Sequence, residues 1–200
     1  MSQIYNPKIH HRQSVRLKDF DYSQDGYYFV TICTKNKIER FGQIIDGEMI
    51  LNKYGEIVVS EWENTKNIRK NVQLDKSIVM PNHLHGIVII ENRRDELHSS
   101  SSNMSPIQDN NMQNQGVYQY APTIKFKSPT NNLGAIIRGF KSAGTKQINQ
   151  QNPSLSFKWQ SGFYDRIIRG EEALDKIREY IENNPMKWEL DKNNVENIFM

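Results

Sequence analysis

The sequence predicts an α+β domain in which an antiparallel sheet is packed with helices. Three observations point to it. Apolar residues alternate at period two in some segments and recur at helical spacing in others. Two pairs of strand-like segments are joined by tight turns, which makes each pair antiparallel. A hydrophobic content of 36% over 200 residues is enough to furnish one core.

The elements follow in order. Residues 1–26 carry His10, His11, Arg12, Arg16 and Lys18 without sustained periodicity and read as a basic arm leading to a turn at Asp25-Gly26. Residues 27–34 are rich in aromatic and β-branched side chains and are predicted to form a strand. Gly42-Gln43-Ile44-Ile45 and Met49-Ile50-Leu51 flank Asp46-Gly47-Glu48, a hairpin signal with Asp-Gly at the turn. Next, Tyr54, Ile57, Val58, Trp62 and Ile68 recur at helical spacing, with Glu56, Glu61, Glu63 and Lys66 elsewhere around the wheel. Residues 72–80 and 83–90 are two apolar segments joined across Pro81-Asn82, an antiparallel pair whose second member begins with His83.

Character changes abruptly over 91–130. Ser99-Ser100-Ser101-Ser102, many Asn and Gln, and prolines at 106, 122 and 129 predict a flexible polar insertion. A helix resumes at Leu133, with Leu133, Ile137, Phe140, Gly144 and Ile148 on one face and Arg138, Lys141 and Lys146 off it. Residues 157–168 have strand or extended character, and 171–184 reads as a helix stopped by Pro185. The resulting order suits a ferredoxin-like or RRM-like arrangement. One domain, 27–90 and 131–190, is interrupted by the insertion and followed by a tail at 191–200.

Composition sets bounds on function. The excess of 26 Lys and Arg over 23 Asp and Glu gives +3, a balance that permits a polyanionic partner without requiring one. Mean hydropathy of −0.74 implies that part of the chain is not packed. The lone Cys33 sits in an apolar run and cannot close an internal disulfide, so a reducing compartment and a cytosolic location are expected. Neither a signal region nor an apolar span of membrane length is visible.

The chemistry concentrates at His83-Leu84-His85. In a strand the two imidazoles point to one face while Leu84 points to the other, a geometry suited to two ligands of one cation. Far along the chain, Tyr180 and Asn184 lie at i and i+4 on one helix face, so a single helix can deliver a hydroxyl nucleophile and a third ligand. A phenol of ordinary pKa about 10 is a poor nucleophile near neutrality and gains from a nearby cation. Plainer roles also fit: His-x-His as packing, Tyr180 as the edge of the stripe Leu174, Ile177 and Ile181, and Asn184 as a helix cap.

Four blocks carry a resemblance. These are Val79-Met80-Pro81-Asn82-His83-Leu84-His85-Gly86; Leu133-Gly134-Ala135-Ile136-Ile137-Arg138-Gly139-Phe140-Lys141-Ser142; Trp159-Gln160 with Tyr164-Asp165-Arg166-Ile167-Ile168-Arg169; and Tyr180-Ile181-Glu182-Asn183-Asn184-Pro185. In content and order they resemble the REP-associated tyrosine transposases and their IS-type relatives in the HUH single-strand nuclease superfamily. The resemblance implies an HUH nuclease core, His83 and His85 as metal ligands, Tyr180 as nucleophile, and Asn184 as third ligand where related transposases carry Gln. It implies Mg²⁺ or Mn²⁺, a single-stranded, hairpin-forming DNA substrate, a 5′-phosphotyrosine intermediate in DNA transposition, and either a monomer or a homodimer.

Such a substrate needs cations around it. Arg138, Lys141 and Lys146 are candidates for a groove along the sugar-phosphate backbone, Arg166 and Arg169 for its flank, and Arg12 and Arg16 for a grip by the arm. Trp159, Phe163 and Tyr164 suit core packing better than base stacking. Two rival readings remain open: a hairpin-binding protein without transposition activity, and a zinc hydrolase of a small molecule that forms no covalent adduct with DNA.

Overall fold

The structure, a computed structural model, describes residues 20–92, 131–191 and 193. Arg12, Arg16 and nearly all of the polar insertion lie outside these residues. Six strands and three α-helices are described: β1 (Gly26–Cys33), β2 (Gly42–Ile45), β3 (Glu48–Leu51), α1 (Lys53–Ile68), β4 (Val72–Met80), β5 (His83–Ile90), α2 (Leu133–Gln151), β6 (Tyr164–Ile168) and α3 (Glu171–Glu182). Four of the strands form an antiparallel sheet ordered β4-β5-β1-β6, and β2 and β3 form a separate hairpin. Setting the hairpin aside, the order in space is second, third, first, fourth. That is the ferredoxin-like arrangement the sequence predicts.

Local chemistry accounts for the boundaries. The β2-β3 turn places Asp46 at φ 51° and Gly47 at φ 79°, two successive left-handed residues that a primed hairpin turn requires. Helix α1 is capped by Asn52, whose side chain accepts from the backbone N–H of Tyr54 at 2.9 Å and Gly55 at 3.1 Å. Asn132 caps α2 likewise, accepting from Ala135 N–H at 2.8 Å. Glu171 and Glu172 place negative charge in the first turn of α3, where the helix dipole favours it.

Each face of the sheet is buried differently. Tyr28, Val30, Ile32, Leu84, Val88 and Ile90 point toward α1 and α2 and join Trp62, Ile137 and Phe140 in the main core. Ile87, Ile89 and Ile168 point the other way, against Leu174, Ile177 and Ile181 of α3. At Gly86 the Trp62 ring of α1 lies directly on the sheet, since a Cβ there would stand 2.4 Å from it. Of the segment 157–168, only the last five residues form a strand; Trp159 instead makes an isolated bridge to Thr34 and buries its ring in the core, its Nε1 donating to the Lys141 carbonyl at 3.1 Å.

Candidate active site

The two histidines open β5, which is bonded on both sides, by β4 and by β1. Their shared parity turns both imidazoles toward α3, and Leu84 between them is fully buried in the opposite core. Their Nε2 atoms stand 2.9 Å apart, and the Tyr180 hydroxyl lies 3.3 Å from His85 Nε2. The imidazoles are at most 1% exposed, whereas Tyr180 is 41% exposed, so a dry donor pair adjoins a phenol that solvent reaches. His85 stacks on Phe29 at 5.3 Å and His83 on Trp188 at 6.0 Å between ring centroids.

The outer nitrogens of the imidazoles decide which atoms face inward. Asn82, fully buried, donates through its side-chain amide to the carbonyls of Lys37 at 2.9 Å and Asn193 at 2.7 Å. Its Oδ1 therefore faces His83 Nδ1 at 2.8 Å and accepts the imidazole proton. A neutral His83 then presents a bare lone pair at Nε2. On the other side His85 Nδ1 meets the Thr31 hydroxyl at 2.9 Å, a group that can donate or accept as the imidazole tautomer demands.

Helix α3 brings Tyr180 to this pair. Asn183 and Asn184 keep right-handed helical dihedrals beyond the last α-helical residue, so Asn184 sits one turn past Tyr180 on the same side of the helix. Asn184 is 2% exposed, and its Oδ1 has no hydrogen-bond partner among the described residues. Burial first, and the Asp191 charge second, push the Tyr180 phenol above its ordinary pKa, while the Asn184 hydrogen bond pulls it down. Asp191 itself comes from the segment the sequence assigns to a tail. It is 8% exposed, and its carboxylate and the two imidazoles present ligand atoms within 4.8 Å of one another.

The described sequence-predicted residues thus separate into three groups. His83, His85, Tyr180 and Asn184 are brought together. Arg138, Lys141 and Lys146 stand on α2, in the layer behind the opposite face of the sheet, where Lys141, Lys146, Lys158 and Gln160 line a cleft of about 610 Å³. Lys141 donates there to the carbonyls of Gln160 and, at 3.1 Å, Gly162; burial lowers its pKa. Arg166 and Arg169 are exposed on and just beyond β6. Asn82, Thr31 and Asp191 escape the sequence reading, although alternation along β1 gives Thr31 the parity of the site; nothing local distinguishes Asp191.

A four-stranded antiparallel sheet with two helices behind it and a tyrosine-bearing helix across its histidine face is a transposase-like fold. The solved structure of a REP-associated tyrosine transposase bound to a REP hairpin superposes on it with a TM-score of 0.52, covering 88% of this chain and 76% of that one at 18% identity. A candidate transposase from Deinococcus radiodurans aligns more loosely, with a TM-score of 0.41 and 13% identity over 84% of this chain and 97% of the other. The chain belongs to the same family as an uncharacterized protein of Haemophilus influenzae, to which it is 39% identical over 193 residues, 96% of this chain and 98% of the relative. No protein-family profile matches the chain, and no helix among the described residues is long and apolar enough to cross a membrane.

Proposed function

We propose that the chain is a metal-dependent single-stranded DNA endonuclease and strand-transferase, acting in DNA transposition through a phosphotyrosine at Tyr180. The observation that carries this reading is the approach of the half-exposed Tyr180 hydroxyl to within 3.3 Å of His85 Nε2, beside a second buried imidazole.

The donor set fits a divalent cation. Two buried Nε2 atoms 2.9 Å apart are close enough to share one cation. The orphaned Oδ1 of Asn184 and the Asp191 carboxylate offer the hard oxygen that Mg²⁺ or Mn²⁺ prefers. His83, His85 and an oxygen from Asn184 or Asp191 would hold the ion. When bound, it supplies Lewis acidity to a phosphate oxygen and charge compensation as the leaving oxygen departs.

The remaining work falls to the chain. The Tyr180 oxygen attacks the scissile phosphorus; the Tyr-O–P bond forms, the P–O3′ bond breaks, and the phenolic proton ends on the released 3′-hydroxyl. A 5′-phosphotyrosine results. Because one phosphodiester replaces another, the 3′-hydroxyl of an incoming strand can reverse the step and rejoin DNA without an external energy source. Asn184 orients the phenol, while the exposed side of the ring leaves the phosphate a path in. Arg166 and Arg169, with the α2 cations and the arm residues Arg12 and Arg16, are proposed to hold the sugar-phosphate backbone.

A labelled single-stranded hairpin incubated with protein and Mg²⁺ or Mn²⁺, then run on a denaturing gel, tests the proposal. A slowly migrating adduct is expected from the wild type, none from Tyr180→Phe, and little from His83→Ala or His85→Ala. Cleavage that survives Tyr180→Phe would remove the reading, and hairpin binding without any adduct would support a binding protein instead.

A further inference from the structure

Strand β6 ends the sheet and is bonded on one side only among the described residues. Thr31 of β1 is paired with His85 on one side and with Tyr164 of β6 on the other, so the three side chains form a row across one face. One row along, Phe29 is flanked by Ile87 and Arg166 in the same way. Tyr164 and Arg166 therefore share the face of the imidazole pair and Tyr180. Asp165 and Ile167 face the opposite layer, and Ile167 packs into the main core.

Exposure separates Tyr164 from its aromatic neighbours. Trp159 is buried, Phe163 is packed against the core, and Tyr164 is 46% exposed. The ring stands on the face that carries the imidazole pair, and that position suggests a use for its exposure. Two strand spacings put Tyr164 about 10 Å from His85, close enough for one single strand to reach both. Arg166, two residues along the same face, and Arg169 beyond it are exposed cations suited to the phosphates of the same strand.

Resting on the proposed nuclease reading, we infer that Tyr164 is a stacking platform for an unpaired base within a few nucleotides of the scissile phosphate, and that Arg166 grips the adjoining backbone. The ring fixes where along the strand the phosphate meets Tyr180. A stacked base contributes selectivity for single strand over duplex, because a base in a duplex has both faces covered. Tyr164 is thus a substrate-positioning residue and plays no part in the chemical step.

The probe is a fluorescein-labelled hairpin with a single-stranded oligothymidylate tail, followed by anisotropy at fixed salt. Tyr164→Ala is expected to weaken binding about 5- to 160-fold, the range of one lost base stack, and Tyr164→Phe to bind as the wild type. Moving one abasic position along the tail should find a single place where the wild type and Tyr164→Ala bind equally. Arg166→Ala should lower affinity at every tail sequence and reduce the salt slope by about 1. Equal binding by wild type and Tyr164→Ala, or a loss that no abasic position cancels, would overturn the inference. So would dimers in sedimentation that dissociate on Tyr164→Ala, which would assign the ring to a second copy of the chain. Binding is read separately from the adduct gel. A Tyr180-dependent adduct with unchanged Tyr164→Ala binding sinks the platform alone, and a mapped stack with no adduct sinks the nuclease alone.

Discussion

Asn82→Ala tests the logic of the site at its most buried point. The side chain is 0% exposed and makes three hydrogen bonds: to the Lys37 carbonyl at 2.9 Å, to the Asn193 carbonyl at 2.7 Å, and from His83 Nδ1 at 2.8 Å. Truncation removes all three bonds at once and leaves two carbonyls and an imidazole nitrogen without this partner. At about 1 kcal/mol net for each bond the loss is about 3 kcal/mol, which in a domain of this size lowers the melting temperature by about 6–12 °C. A second effect follows from the tautomer. Without an acceptor at Nδ1, His83 can place its proton on Nε2, where it blocks the ligand lone pair. Loss of such an outer partner typically costs about 10- to 100-fold in metal affinity. Thermal unfolding followed by calorimetric titration with Mn²⁺ reads both. Asn82→Asp separates them: it keeps an acceptor for His83 and gives up both donors, so stability falls while Mn²⁺ binding is retained better than in Asn82→Ala. If Asn82→Ala melts within about 2 °C of the wild type, a shift worth less than about 1 kcal/mol, and binds Mn²⁺ equally, the tautomer argument is wrong.

Other perturbations probe other links. Gly86→Ala drives a methyl to 2.4 Å from the buried Trp62 ring; urea unfolding should show a loss of about 1–3 kcal/mol from overpacking, and Trp62→Phe should restore part of it. Asp75 is held below its ordinary pKa of 3.8, first by the hydrogen bonds of Arg178 and despite opposing desolvation. Its contribution is full above that value and vanishes as pH falls through the lowered one. With Arg178 36% and Asp75 15% exposed, a double-mutant cycle of Asp75→Asn and Arg178→Met near neutrality should give about 1 kcal/mol of coupling, absent in acid. Mn²⁺ at a hundredfold excess over its dissociation constant should stabilise the wild type by about 2.7 kcal/mol, and a chelator should remove the gain; His83→Ala with His85→Ala should show no such gain.

Elements with a strong local signature are legible in the sequence. The Asp46-Gly47 turn needs two left-handed residues, and only a few residue types tolerate them, so the dipeptide announces the hairpin. The histidine pair was legible because a strand has period two. What the sequence hides is a change of period. Leu74 packs in the main core and Ile78 in the α3 cluster, although an even separation in a regular strand puts both on one face. A bulge between Leu74 and Ser77, two residues opposing Ile87 alone, switches the parity. No composition rule reports such an inserted residue. Asp191 was hidden for a different reason: an acidic residue among Asn and Lys looks like solvated tail, and only the fold of the Pro185–Leu190 turn returns it to the imidazoles.

That bulge also explains how Tyr180, the proposed nucleophile on a helix, can be held against the proposed histidine ligands on a sheet. The two residues it contains are Asp75 and Lys76. Asp75 accepts from Arg178 Nη2 at 2.6 Å, and Lys76 pairs with Glu182, so both bulge residues clamp α3, one on each side of Tyr180 in sequence. A regular strand would point two successive side chains to opposite faces; the bulge is what lets neighbours serve the same helix. Ion pairs of this exposure contribute little to stability. Their value lies in register, because a displacement of 1 Å at a reacting group can cost about 10²-fold in rate. The clamp therefore acts on geometry far more than on folding. By this argument Arg178→Met would leave the protein folded and Tyr180 intact, yet slow adduct formation through a helix free to slide along β4.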